Sequence, residues 1–143
     1  MRRYDPSQVK CAFGGVVISG YQDGTFVEVE RNEDQYTVQV GSLGDVTRTR
    51  NRNRTGKITI TLMQHAPTND LLESLLVLDE TGDLLSSAPK PLIIKDLSNG
   101  MLCLAPESWI TKTPKIERGK ESMGVQWVFE CAHLQIIVSQ DIL

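Results

Sequence analysis

The residues of this chain with the most distinctive chemistry lie in one run, Arg48-Thr49-Arg50-Asn51-Arg52-Asn53-Arg54, where four arginines occupy every second position. An extended backbone sends alternate side chains to one side, so this spacing would make a cationic row. Guanidinium groups in such a row suit phosphates or carboxylates. The net charge is −3, and it falls to −7 once these four are removed, so an acidic body carries a basic arm. Bounded by Gly41, Gly44 and Gly56, the arm reads as a long extended loop over about 42–56 or as the tip of an extended hairpin. Three uses stand open: a solvated loop, a nucleic-acid contact through phosphates, or docking onto an acidic surface of another copy of the chain. The charge polarisation favours the last.

The other reactive side chains form no catalytic set. Glu28 and Glu30 share one strand face, about 7 Å apart, close enough for acid–base work but better read as a solvated face. His65 and His133 have no partner at metal-ligand spacing and read as turn residues. No Gly-x-Ser-x-Gly occurs, and Gly56-Lys57 lacks the upstream glycine and the Ser/Thr of a phosphate loop. Asn53-Arg54-Thr55 matches a glycosylation sequon, a chance match in a chain without a secretory signal. Cys11, Cys103 and Cys131 are odd in number, far apart and set in hydrophobic stretches, which describes buried thiols in a reducing compartment. The expectation is a chain with no enzymatic activity, no cofactor and no metal.

The elements that must carry these residues are mostly strands. Apolar residues alternate at Val27–Val29, at Tyr36, Val38 and Val40, at Ile58, Ile60 and Leu62, and at Val125, Trp127, Phe129 and Cys131, with Leu134, Ile136 and Val138 beyond them. A period of two with β-branched and aromatic residues indicates half-buried strands. Turns fall at Gly14-Gly15, Asp23-Gly24, Asn99-Gly100 and Arg118-Gly119, and Asn99-Gly100 joins 92–97 to 101–105 as a hairpin. One segment departs from this rhythm. Leu71, Leu72, Leu75, Leu76 and Leu78 recur at helical spacing, predicting a one-sided helix over about 69–79, capped by Thr68 or Asn69, ended by Gly82 and laid against the sheet. The stretch Ser86-Ser87-Ala88-Pro89-Lys90-Pro91 reads as a surface connection.

A chain of 143 residues with 40% apolar and 23% charged residues supplies one core and is read as a single domain over 1–143. The overall acidity argues against a surface that grips nucleic acid or an anionic membrane all round, and no apolar run reaches the length of a membrane span. These features together predict a soluble, mainly antiparallel β domain with one helix.

The run Gly14-Gly15-Val16-Val17-Ile18-Ser19-Gly20-Tyr21-Gln22-Asp23-Gly24-Thr25-Phe26-Val27-Glu28-Val29 resembles the start of tail tube proteins from contractile-tailed bacteriophages. The order of the next segments is similar as well: Asp34-x-Tyr36, then Gly41-Ser42-Leu43-Gly44-Asp45-Val46-Thr47-Arg48, then Gly56-Lys57-Ile58-Thr59-Ile60-Thr61-Leu62-Met63-Gln64, and Pro67-Thr68-Asn69 opening a Leu-rich helix. The resemblance covers about residues 4–80; the C-terminal third agrees as a pattern of strands.

It implies an antiparallel β-sandwich or barrel with one helix, assembled into hexameric rings that stack into a hollow tube. The partners it implies are other copies of the chain, tail sheath and baseplate proteins, and double-stranded DNA passing without specific binding, in a virion assembled in the bacterial host cytoplasm. Glu28, Glu30, Thr37, Gln39, Thr59 and Thr61 then become candidates for a polar lumen face, and Arg48, Arg50, Arg52 and Arg54 for contacts between subunits or rings. A tube-initiating baseplate protein or a secretion tube subunit is the alternative within this class. A small barrel binding single-stranded nucleic acid is the alternative outside it. Such a barrel wants aromatics interleaved with its basic residues, whereas Thr and Asn separate the arginines here.

Overall fold

The structure, a computed structural model, describes residues 5–82, 88–98, 100–121 and 123–138. Of the expected surface connection over 86–91, Ser86-Ser87 lie outside the described residues, Ala88 and Pro89 are an exposed irregular link, and Lys90-Pro91 already open a strand; Asn99 of the expected Asn99-Gly100 turn also lies outside the described residues.

Ten strands, one α-helix and a short 3-10 helix at Pro6–Gln8 are the regular elements of the described residues. In order the strands and the α-helix are β1 (Val9–Phe13), β2 (Val16–Ile18), β3 (Val27–Arg31), β4 (Tyr36–Val40), β5 (Val46–Arg50), β6 (Gly56–Leu62), α1 (Thr68–Thr81), β7 (Lys90–Asp96), β8 (Met101–Ile110), β9 (Val125–Cys131) and β10 (Gln135–Val138). Gly14 and Gly15 both adopt positive φ (57° and 87°) between Phe13 and Val16. A two-residue hairpin turn of matching twist demands that conformation at both central positions, and glycine reaches it without strain.

One eight-stranded antiparallel sheet runs in the order β2-β1-β7-β8-β9-β6-β3, with β10 beside β8. β8 is the pivot: its residues 101–104 pair with β10 and its residues 108–110 pair with β9. In a flat sheet β1 and β9, three strands apart, would be separated by about 14 Å. The rings of Phe13 and Phe129 nevertheless lie 4.9 Å apart. The sheet therefore folds over on itself as a sandwich, with Cys11, Phe13, Leu92 and Ile94 from one half facing Ile58, Ile60, Trp127 and Phe129 from the other. It does not close into a barrel, because β2 and β3 remain its end strands.

The helix forms where the leucine spacing predicts it and extends a little further at each end. Leu72 and Leu76 are buried and Leu75 half-buried, whereas Leu71 and Leu78 are exposed. The expected capping role of Thr68 or Asn69 does not occur: Pro67 stands at the N-cap, and no side chain caps the first turn. These two residues anchor the helix to the sheet instead. Thr68 Oγ1 accepts from the Ser19 N–H at 3.2 Å, and Asn69 Oδ1 accepts from Trp127 Nε1 at 2.9 Å. All three cysteines are buried, and burial pushes the Cys11 thiol up to about 11 and Cys131 up to about 12. They are neutral packing groups at ordinary pH.

Candidate functional site

Of the two readings of the basic arm, a long loop or a hairpin tip, the hairpin is the one the structure shows. β4 and β5 pair with each other alone, through Tyr36↔Arg50, Val38↔Arg48 and Val40↔Val46 on one face and Thr37↔Thr49 and Gln39↔Thr47 on the other. The expected extended loop over 42–56 is thus corrected to a short turn at 41–45, a strand at Val46–Arg50 and a corner at 51–55. Gly44, at φ 89°, turns the chain at the tip.

All ten strand residues of this hairpin are exposed. The alternation at Tyr36, Val38 and Val40 predicted a half-buried strand; the face exists, but no described part of the chain covers it. Tyr36, Val38, Val40 and Val46 keep 49–67% of their surface in water, and Leu43 at the tip keeps 91%. Arg48 and Arg50 stand on this same apolar face, and the Arg48 guanidinium lies 4.7 Å from the centre of the Tyr36 ring. The opposite face is Thr37, Gln39, Thr47 and Thr49, uncharged and polar. The arm is therefore amphipathic, with one apolar and cationic side and one hydroxyl and amide side.

The four arginines do not form one row. Arg48 and Arg50 belong to β5; Arg52 and Arg54 come next in the corner, where the asparagines between them set the backbone. Asn51 Oδ1 accepts from the Asn53 N–H, and Asn53 Oδ1 accepts from the Thr55 N–H, each at 2.9 Å. Such side-chain turns break a strand's alternation. Asn51 Nδ2 also donates to Glu33 at 2.8 Å, which lowers the Glu33 carboxyl below its ordinary range. Arg54 is partly buried against the body, where its backbone carbonyl accepts from the Leu134 N–H and one guanidinium nitrogen, Nη1, is buried with no hydrogen-bond partner.

The corner also carries one residue more on its β5–β6 side than on its β3–β4 side. Arg31 pairs with Gly56 and Tyr36 with Arg50, so residues 32–35 oppose residues 51–55, four against five. An extra residue in one strand re-aims the side chains beyond it.

The candidate lumen residues divide between two elements. Glu28 and Glu30 are exposed on β3 and pair with Thr59 and Lys57 of β6. Thr59 is half-exposed, while Thr61 on the same face is covered and only 8% exposed, which removes it from a water-facing set. Its backbone takes part in two further hydrogen bonds, donating to Phe26 and accepting from Gln22, as residues 20–26 cross the end of β6. Thr37 and Gln39 lie on the polar side of the arm instead. His65 and His133 lie on separate turns, and among the described residues no cluster of His, Cys, Asp and Glu could hold a metal. No helix among the described residues is long and apolar enough to cross a membrane.

The residues that sequence reasoning missed are Tyr36, Val38, Val40 and Val46 as an uncovered surface. The available signal was that these strands flank the glycine-rich tip and carry the arginines.

Known proteins point in the same direction. The sequence model of the Bacteriophage PhiTE tail tube protein family matches residues 8–139. The structural protein ORF10 of Pseudomonas phage KPP10 is 30% identical over 131 residues, spanning 87% of this chain and 75% of that protein. Among solved structures, the tube-terminating cap of the anti-feeding prophage superposes with a TM-score of 0.64 at 8% identity, over 97% of this chain and 93% of that one. A chain from the sheath–tube complex of the PVC extracellular contractile injection system gives 0.58 at 10% identity, over 96% and 93%. These two likenesses concern the fold. The family match and the relative from a phage carry the assignment: the chain belongs to the phage tail tube family of structural proteins.

Proposed function

We propose that this chain is the repeating subunit of a contractile phage tail tube, forming hexameric rings that stack around a lumen through which the DNA duplex passes. The observation that carries the reading is the arm, an exposed two-stranded hairpin with an apolar, cationic face that no described part of its own chain covers. An isolated hairpin is marginal in water, so an arm of this composition is completed by a neighbour. The polar residues Glu28, Glu30 and Thr59 on the sheet and Thr37 and Gln39 on the arm suit a wet channel wall, where carboxylates repel phosphates and let a duplex slide. Arg48 and Arg50 serve contacts between subunits, with the sheath outside the tube. The chain does structural work without catalysis, as a component of the virion.

The fold is shared by a tube-terminating cap and a PVC sheath/tube terminator as well as by a chain of a sheath–tube complex, which leaves a second reading as a protein that starts or ends a tube. Sedimentation of the purified chain over a range of concentrations separates the two. A tube subunit forms species of ever-increasing size above a critical concentration; a cap or initiator stops at one ring. A monomer at every concentration, also in the presence of sheath and baseplate proteins, counts against both. Retention of short single-stranded DNA through the arginines in place of assembly would favour the nucleic-acid-binding alternative.

A further inference from the structure

We infer that the arm of one copy docks, by its Tyr36/Val38/Val40/Val46 face, into the open groove between β3 and the β1–β7–β8 half of the sandwich of a second copy. This rests on the reading of the chain as a self-assembling tube subunit, and it names the surface that receives the arm.

The groove lies where the folded sheet fails to close. It has a volume of about 440 Å³, and Val9, Phe26, Val27, Val29, Ile94 and Met101 make its apolar lining. β3, an end strand of the sheet, contributes Val27 and Val29 to it. The core thus opens to solvent on the flank beside β3. A second depression of about 420 Å³, holding Tyr21, Asp23 and Met63, adjoins it through Gly24 and Phe26. Among the described residues of the two linings, Asp96 and Asp23 are the charged side chains and no lysine or arginine occurs; Asp96 is buried with its Oδ1 accepting from the Ser98 N–H and hydroxyl, and Asp23 is exposed.

The arm has the complementary character. β4 and β5 hold no acidic residue, and their apolar face carries Arg48 and Arg50. Laying that face on the groove covers apolar surface on both partners and brings two guanidinium groups toward Asp23, the exposed carboxylate of the adjoining depression. The arm does not fill its own groove, because all its strand residues are exposed and it pairs with no other described strand of its chain.

Two other acidic surfaces fit less well. Helix α1 bears Asp70, Glu73, Asp79 and Glu80, but Asp70 and Glu73 share their depression with Lys115 and Arg118 of the same chain, and Asp79 shares its own with Lys90. On the outer sheet face, Lys57 pairs with both Glu30 and Glu130 and stands between them. Of these three surfaces, the groove alone combines an apolar floor with described lining residues whose charges are all negative.

The test places a photo-crosslinking benzoylphenylalanine at position 38 and assembles it with isotopically heavy wild-type chains. The expected adducts join position 38 of one copy to residues 24–29 or 94–101 of another. Adducts concentrated on α1 or on the Glu30–Lys57–Glu130 face, in polymers that otherwise form normally, overturn the inference and leave the tube reading standing. In parallel, Thr25→Arg puts a cation on the exposed rim of the groove. It should leave the melting temperature unchanged and raise the critical concentration by about tenfold, whereas Ser74→Arg on the exposed side of α1 should not change it. Assembly of Thr25→Arg at the wild-type concentration refutes the groove as acceptor. A chain that never leaves the monomeric state, with or without sheath and baseplate proteins, fails the tube reading and this inference together.

Discussion

The double substitution Val38→Thr/Val46→Thr tests whether the apolar face of the arm works for the folded chain or for the assembly. Threonine keeps the β-branched shape and the strand preference of valine, so the hairpin itself is little disturbed. Val38 and Val46 are 63% and 67% exposed in the single chain. A change there costs the monomer within about 0.5 kcal/mol, as surface substitutions do. Fully burying a valine is worth about 1.5 kcal/mol at the low end, and about two-thirds of that burial is still to come for each side chain, or about 1 kcal/mol apiece. Two such losses at every contact amount to about 2 kcal/mol, which raises the critical concentration for assembly about 30-fold. Light scattering against protein concentration reads the critical concentration, and calorimetry on the dilute chain reads the monomer. A melting temperature lowered by more than about 8 °C would mean that the face is already packed in the monomer. An unchanged critical concentration would mean that the arm is not buried on assembly. Either result refutes the reasoning.

Other perturbations probe the scaffold. Leu72→Ala, at a fully buried position of α1, should cost about 2–5 kcal/mol in reversible unfolding, and Leu75→Ala, half-buried, about 1–2 kcal/mol; equal costs would mean that the helix lies differently on the sheet. At the root of the arm, a Cβ on Gly56 would stand 3.1 Å from the Glu30 carbonyl oxygen and overlap Leu134, so Gly56→Ala should destabilise by about 1–3 kcal/mol and is refuted by a neutral result in chemical denaturation. The buried thiols give a pH signature. The Cys11 pKa is raised from 9.0 to about 11 in the folded chain, so the unfolded chain loses its proton first and stability falls as pH rises from 9 to 11, less so in Cys11→Ala. Identical slopes in the two proteins across that window would remove the thiol as the cause.

Much of the scaffold was legible because its signals are local. The period-two runs at 58–62 and 125–131, the Gly14-Gly15 turn and the Leu-rich segment each report on neighbours a few residues away, and each sits where its pattern predicts. The arm was legible in composition, and in shape only as one of two readings, a long loop or a hairpin tip. Alternation at Tyr36, Val38 and Val40 reveals a strand with two faces and says nothing of whether a face meets its own core or another chain. The arginine spacing suggested one row, but Asn51, Asn53 and Thr55 form side-chain turns that stop β5 after Arg50, and the alternation ends with it. Thr61 shares the alternation of Thr59, yet residues 20–26 cross the end of β6 and cover it, a contact set by folding at long range. Thr68 and Asn69 looked like caps because capping is the local use of those residues. Their partners, Ser19 and Trp127, are 49 and 58 residues away, beyond the reach of a local pattern.

Electron microscopy of the purified chain at rising concentration tests the central claim most directly, because rings and tubes are seen without any assay of activity. The account predicts sixfold rings that stack into tubes with an open lumen, and fields of dispersed single particles once Val38 and Val46 are threonine. Compact particles of fixed size at every concentration for the wild-type chain, with no stacking even beside sheath and baseplate proteins, would contradict it.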